Sequence, residues 1–137
     1  MAETKAIVFD FYDVIWDDRQ VDDGVVAIIK ELRATGKYKV ALISNSGPDT
    51  LHNFLDELEL ADLFDVILPT GATAYMKPAR EVYEILEDML QVPFEEWFYT
   101  DDAADYITQA QEYGIPSHLF ASADNLRSAL RERGILA

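Results

Sequence analysis

The sequence predicts a single three-layer, doubly wound α/β domain over residues 1–137, with a mainly parallel five-stranded sheet. Short runs of β-branched and aromatic residues alternate along the chain with segments whose apolar residues recur at helical spacing. This alternation is typical of a parallel sheet covered by helices on both faces. Polar residues follow four of the predicted strands, where each strand leaves the core.

Each predicted strand is a short apolar run bounded by polar or turn residues. The five predicted strands are 6–10, 38–43, 64–68, 97–100 and 115–120. The first is the most continuous, and it ends in the carboxylate of Asp10. Such a run indicates a strand buried in the sheet.

Each predicted helix carries an apolar stripe. The five predicted helices are 25–33, 48–58, 78–90, 103–113 and 124–133. Gly36, Gly114 and Gly134 follow the first, fourth and fifth, as expected of residues that end helices. Proline fits a first helical position because it has no amide hydrogen to lose, so the third helix is predicted to begin at Pro78. Its predicted inward residues are Val82, Ile85, Leu86, Met89 and Leu90.

Polar residues at the strand ends predict a site. Asp10 follows the first strand, Ser44 and Asn45 the second, Thr70 and Gly71 the third, and Asp101 and Asp102 the fourth. In an open α/β sheet, ligands bind beyond the carboxyl ends of the strands. Turn residues also follow many strands, but four polar ends together with Lys77 favour a functional crevice.

Lys77 directly precedes the predicted third helix, which should place it at the edge of this crevice. The helix dipole favours anions rather than cations at a helix N-terminus. This misfit predicts an anionic partner for the Lys77 ammonium.

Composition limits the classes of function. The chain has 137 residues, no cysteine and a formal charge of −15. A disulfide or thiolate site is therefore excluded, and nucleic acid is not an expected partner because its phosphates would be repelled. No run of apolar residues approaches membrane-spanning length, so we expect a cytoplasmic protein without a membrane partner. Neither histidine is assigned a role, and His52 is expected to face solvent.

Four motifs in order resemble the haloacid dehalogenase-like (HAD) hydrolase superfamily. They are Phe9 to Ile15, Leu42 to Asn45, Lys77-Pro78, and Phe98 to Asp102. The resemblance implies that Asp10 is the nucleophile for a phosphoryl group, with Ser44, Asn45 and Lys77 binding phosphate. It also implies a Mg²⁺ ion held by Asp10, Asp101 and Asp102. The substrate would be a small or macromolecular phosphomonoester.

Most members of the superfamily carry a cap domain inserted after the first or the second motif. Only brief connections follow those motifs here, so the resemblance implies a capless member with an open crevice. Such a member can use a neighbouring subunit as a lid, which makes a homo-oligomer an expectation.

Several positions depart from the family pattern. Tyr12 stands where the family's phosphatases have the general acid/base aspartate, and a tyrosine phenol transfers protons poorly near neutrality. The family's dehalogenases do have tyrosine there, but they rely on a cap-borne arginine and lack the Asp101-Asp102 pair. Asp13 replaces a usual glycine, and Tyr106 a usual Asn or Asp.

Three hypotheses follow from the match and its departures. The first is a phosphatase of this family that is weakened by Tyr12. The second is an engineered scaffold whose crevice, with Tyr12, Asp13, Tyr75, Tyr106 and Lys77, was rebuilt for a ligand or for another reaction, such as amine catalysis by Lys77. The third is a non-catalytic protein that retains the fold and binds a partner.

Overall fold

The computed structural model describes residues 2–137, in which strands and helices alternate. The strands are β1 (Ala6–Phe9), β2 (Lys39–Ser44), β3 (Val66–Pro69), β4 (Trp97–Asp101) and β5 (Ser117–Leu119). The helices are α1 (Asp23–Ala34), α2 (Pro48–Glu57), α3 (Arg80–Leu90), α4 (Ala104–Glu112) and α5 (Ala123–Glu132). Among these residues, no helix combines the length and the apolar character needed to cross a bilayer.

The five strands form one parallel sheet in the order β3-β2-β1-β4-β5. Phe9 in the central strand pairs with Leu42 in β2 and with Thr100 in β4. The carboxyl ends of these strands therefore lie at one edge. The chain moves outward from β1 to β3 and then returns to β4, so the topological switch point lies between β1 and β4. The predicted fold class is confirmed.

Helices cover both faces of the sheet. Phe9 and Phe11 pack in one apolar cluster with residues of α1, α2 and α5. Val8 and Tyr99 pack in a second cluster with residues of α3 and α4. Within the described residues, β1 is followed by α1, and β2 by α2 and one turn at Ala61–Leu63, so no cap is inserted after either motif, as predicted.

The predicted start of the third helix is wrong. Helix α3 begins at Arg80, two residues after Pro78, because Ala79 is extended and the Lys77 amide donates to Asn45 Oδ1 at 2.9 Å. The Lys77 backbone is thus held in a loop by a side chain from another element.

The predicted inward face of α3 is only partly right. Val82, Leu86 and Leu90 are buried as expected, whereas Met89 is 46% exposed and Tyr83 is buried. The apolar stripe is therefore rotated by about one residue from the face expected, and Met89 falls at its outer edge.

His118 in β5 gives the fold a pH dependence. Its ring stacks on Phe98, and its Nδ1 lies 2.9 Å from Thr100 Oγ1. Burial lowers the pKa of His118 from its ordinary value of 6.5. The unfolded chain then binds this proton more readily than the folded chain. The contribution of His118 to the free energy of unfolding is expected to fall as the pH falls from neutrality through 6.5 to the lowered folded-state pKa.

Denaturant unfolding between pH 7 and pH 5.5 checks this expectation, with variants of the two histidines compared. His118→Gln should flatten the part of the profile that His118 causes. His52→Gln is the matched control, because His52 is exposed on α2 and should leave the profile unchanged. Profiles of equal slope for wild type and His118→Gln would contradict the prediction.

Candidate active site

Asp10 follows β1 at the centre of the carboxyl edge of the sheet. Its side chain is buried, and its amide donates to the Thr100 carbonyl of β4 at 3.1 Å. Asp101 ends β4 and is also buried, whereas Asp102, one residue further, is exposed. Ser44 ends β2 and is buried, and its hydroxyl accepts a hydrogen bond from Ser46 Oγ at 3.0 Å.

Lys77 bridges the two buried aspartates. Its Nζ lies 2.8 Å from Asp10 Oδ1 and 2.8 Å from Asp101 Oδ2. The lysine residue is only 3% exposed. These contacts confirm the anionic partner that the position of Lys77 predicts. They also join three of the four motifs into one buried ionic cluster.

Asn45 positions the Lys77 loop. Its Oδ1 accepts from the Lys77 amide at 2.9 Å and from Thr70 Oγ1 at 2.9 Å. Its Nδ2 donates to the Lys77 carbonyl at 3.3 Å and lies 3.4 Å from the hydroxyl of Tyr106. Both ends of the amide are thus engaged with protein groups. The contacts give Asn45 a positioning role, and the phosphate contact that the resemblance implies stays a prediction.

Two buried tyrosines extend the ionic cluster into the core. The Tyr99 hydroxyl donates to Asp101 Oδ2 at 2.5 Å, and it lies 3.3 Å from the hydroxyl of Tyr83 on α3. Sequence reasoning noted Tyr99 only as an aromatic residue near a strand end, and it missed Tyr83. Strand alternation contains a signal for Tyr99, since residues two apart in a strand share a face. Nothing in the local sequence links Tyr83 to this site.

Replacing Tyr99 with phenylalanine is expected to lower the free energy of unfolding by about 1.5–3 kcal/mol at neutral pH, the range for hydrogen bonds to charged groups. Tyr83→Phe removes a bond between two neutral groups, so its loss should be smaller, about 0.5–1.5 kcal/mol. Urea unfolding of the two single variants and the double variant measures both losses. Equal losses for the two single variants would contradict the assignment of Tyr99 as the direct partner of Asp101.

The ionisation of the cluster follows from burial and charge. Burial raises the pKa of Asp10 to about 8; the Lys77 ammonium lowers it, and the Asp101 carboxylate raises it again. Burial alone would lower the pKa of Lys77, but the two aspartates raise it above its ordinary value. Burial would raise the pKa of Asp101, but Lys77 and Tyr99 hold it below its usual range. One ammonium therefore does not neutralise all the carboxylates.

The residues present fit a divalent cation. One oxygen from each of Asp10, Asp101 and Asp102 lies within 4.8 Å of the others. Burial raises the pKa of Asp102, as it raises that of Asp10. Raised carboxyl pKa values at neighbouring residues mark a site short of positive charge. Carboxylate oxygens are the ligands that Mg²⁺ prefers.

The aromatic residues predicted for a rebuilt crevice have different surroundings. The Tyr106 ring lies 5.5 Å from Lys77 Nζ, beside the ionic cluster. The half-buried Tyr12 packs edge-on against Phe11 with ring centroids 5.0 Å apart. Tyr75 is exposed and lines a pocket together with Asn45 and Ser46. Asp13 is exposed in a left-handed conformation at φ 64°.

A family model described as a hydrolase, haloacid dehalogenase-like hydrolase, matches residues 10–114. An (S)-2-haloacid dehalogenase from Pseudomonas sp. (strain YL) is 27% identical over 116 residues, covering 85% of this chain and 48% of that protein. The chain spans less than half the length of the curated relatives that it matches.

Solved structures share the fold. A HAD-superfamily hydrolase from Ehrlichia chaffeensis has a TM-score of 0.78 at 17% identity, covering 97% of this chain and 98% of that one. The L-2-haloacid dehalogenase of Xanthobacter autotrophicus has a TM-score of 0.71 at 17% identity, covering 97% and 84%. The family match covers well over half of the chain, and the four motifs meet at one edge of the sheet. The chain therefore belongs to the haloacid dehalogenase-like hydrolases.

Proposed function

We propose that this chain hydrolyses phosphomonoesters, with Asp10 as the nucleophile. The observation that carries the proposal is the buried cluster of Asp10, Lys77 and Asp101, in which an ammonium lies 2.8 Å from each of two carboxylates. An anionic nucleophile approaches an anionic phosphate only where positive charge offsets the repulsion. Lys77 supplies part of that charge beside the attacking oxygen.

The reaction proceeds in two displacements at phosphorus. A carboxylate oxygen of Asp10 attacks phosphorus, and the ester P–O bond breaks with its electron pair on the alcohol oxygen, which takes a proton from solvent. Water then attacks phosphorus of the aspartyl phosphate. That step releases inorganic phosphate, returns the Asp10 carboxylate and leaves the water proton to solvent. Lys77 and Ser44 are the proposed partners of the phosphoryl oxygens.

Asp10, Asp101 and Asp102 are the residues that would hold a Mg²⁺ ion. When bound, the ion supplies the positive charge that Lys77 alone does not provide. The cluster of carboxylate oxygens within 4.8 Å supports this assignment, as does the raised pKa of Asp10.

Tyr12 makes this a slow enzyme for alkyl esters. Proton transfer by a positioned acid contributes about 10²–10⁴-fold to such reactions. A tyrosine in place of a carboxylic acid leaves the departing alkoxide to be protonated by water. The proposed activity therefore depends on the stability of the leaving group.

Dehalogenation of a 2-haloacid is the second candidate, because the Pseudomonas relative is a dehalogenase and Tyr12 fits that group. A haloacid carries its own carboxylate. Among the described residues, Lys77 already forms ion pairs with Asp10 and Asp101. The three carboxylates that fit a divalent cation therefore favour the metal-dependent phosphatase.

Amine catalysis by Lys77 receives no support from the geometry. An amine nucleophile must lose its proton, whereas Asp10 and Asp101 raise the pKa of Lys77 and hold it as an ammonium. A rebuilt pocket that uses Lys77 as a base or nucleophile would have to break both ion pairs.

The deciding experiment measures phosphate release from 4-nitrophenyl phosphate with Mg²⁺, with chelator, and in the variant Asp10→Asn. We expect release that disappears in chelator and in the variant. Chloride release from 2-chloropropionate without metal is measured in parallel. Chloride release without phosphate release would favour the dehalogenase. The absence of both, with native circular dichroism, would overturn both activities and leave a binding protein.

A further inference from the structure

We propose that a pocket beside the ionic cluster binds the leaving group, and that the preferred substrates are phosphomonoesters of uncharged phenols. The inference rests on the proposed function and narrows its substrate class.

The pocket lies between two loops at the carboxyl edge of the sheet. Asn45 and Ser46, after β2, form one wall, and residues from the segment 70–76, after β3, form the other. Its volume is about 350 Å³, near the lower end of small-ligand pockets. It is therefore suited to a group of one or two rings rather than to a large substrate.

The walls are held in place without a ligand. The Gly71 amide donates to the Ser46 carbonyl at 2.9 Å, which ties the two loops together. A Cβ at position 71 would lie 2.8 Å from that carbonyl oxygen and 2.9 Å from Gly47 Cα, so only glycine allows this approach. Thr73 Oγ1 lies 2.8 Å from both the Thr70 and the Tyr75 carbonyl oxygens. The pocket is thus largely preformed.

The pocket adjoins the Lys77 loop, because Asn45 lines the pocket and also bonds the Lys77 backbone. One side-chain oxygen of Asn45 accepts hydrogen bonds from Thr70, which lines the pocket, and from the Lys77 amide. In the proposed complex, the ester oxygen of a phosphoryl group at Lys77 faces this pocket. The group attached to that oxygen occupies the pocket in the proposed complex.

The chemistry of the lining selects an uncharged aromatic group. None of the residues that line the pocket is an acid, a lysine, an arginine or a histidine, although the chain carries a charge of −15. Tyr75 and Met76 stand at the pocket with 45% and 58% exposure. A tyrosine ring and a thioether make favourable contacts with aromatic rings. An anionic leaving group would find no cation among these residues.

Leaving-group chemistry points to the same substrates. Phenols ionise at a pKa of about 10, far below the value of about 16 for water, which aliphatic alcohols resemble. An aryl oxide can thus depart with the electron pair of the P–O bond and take its proton from solvent afterwards. A site with Tyr12 in place of a carboxylic acid therefore retains more activity on aryl than on alkyl esters.

The test first compares kcat/KM for phenyl phosphate and ethyl phosphate in the presence of Mg²⁺. It then compares the binding of phenylphosphonate and methylphosphonate to the variant Asp10→Asn by calorimetry. Tyr75→Ala should lower the ratio of kcat/KM for phenyl to ethyl phosphate about three- to tenfold, as expected for loss of an aromatic contact. It should also reduce the preference for phenylphosphonate by a similar factor. Tyr75→Phe, which keeps the ring, should retain both preferences.

Met76→Ala should lower the same ratio. Met89→Ala is the matched control, because Met89 is 46% exposed on α3 and lies outside the pocket. Hydrolysis that requires Mg²⁺ and Asp10 but keeps the same ratio in Tyr75→Ala would overturn the pocket and leave the phosphatase intact. If neither ester is hydrolysed, the proposed phosphatase activity is rejected. The phosphonate binding then tests the pocket by itself. Equal or undetectable binding of the two phosphonates would overturn the proposed aryl pocket.

Discussion

Replacing Lys77 with methionine is expected to lower the free energy of unfolding by about 3–5 kcal/mol in the absence of Mg²⁺ and to reduce phosphate release to background. Methionine keeps much of the side-chain length but removes the charge. Asp10 and Asp101 are then left buried without their shared cation, and removing one partner of a buried ion pair costs about this much. Urea unfolding in chelator measures the loss.

Lys30→Met is the matched control, because Lys30 is exposed on α1 and should change the stability by less than about 0.5 kcal/mol. Mg²⁺ should restore part of the stability of Lys77→Met, since a cation that binds only the folded state stabilises it. Equal losses for the two variants would contradict the buried cluster. The absence of any Mg²⁺ effect on Lys77→Met would contradict the proposed metal ligands.

The strand ends could be predicted because their signals are local. A continuous apolar run that ends in Asp10, or in Asp101, predicts where the strand ends. The carboxyl ends of parallel strands then lie at one edge of the sheet. The anionic partner of Lys77 is predicted from a helix start at Pro78, and the structure has the partner although α3 begins at Arg80. The two aspartates that pair with Lys77 could not be predicted, because they lie 67 and 24 residues away in the chain.

The features that could not be predicted depend on contacts between elements. The start of α3 is set by Asn45, which binds the Lys77 amide from 32 residues earlier in the chain. The contact of Tyr83 with Tyr99 joins a helix to a strand, and helical spacing alone assigns Tyr83 no role in the site. The pocket at Tyr75 forms where two loops come into contact at Gly71, and no periodic pattern in the sequence predicts that contact.

Replacing Tyr12 with aspartate is expected to raise kcat/KM for ethyl phosphate about 10²-fold or more in the presence of Mg²⁺, because a positioned carboxylic acid contributes about 10²–10⁴-fold through proton transfer. The gain should be much smaller for 4-nitrophenyl phosphate, whose leaving group departs without protonation. Tyr12 is half-buried against Phe11, so the smaller side chain opens the site rather than crowding it.

Tyr12→Asn separates proton transfer from the change in size, since asparagine matches aspartate in shape but donates no carboxyl proton. If only Tyr12→Asp gains activity on ethyl phosphate, tyrosine at position 12 limits the protonation of the leaving group. Equal gains for the two variants would mean that the phenol obstructs the substrate, and the leaving-group argument would fail. A gain confined to aspartate would also show that Asp10, Lys77 and Asp101 already form a competent phosphoryl site that lacks only its acid.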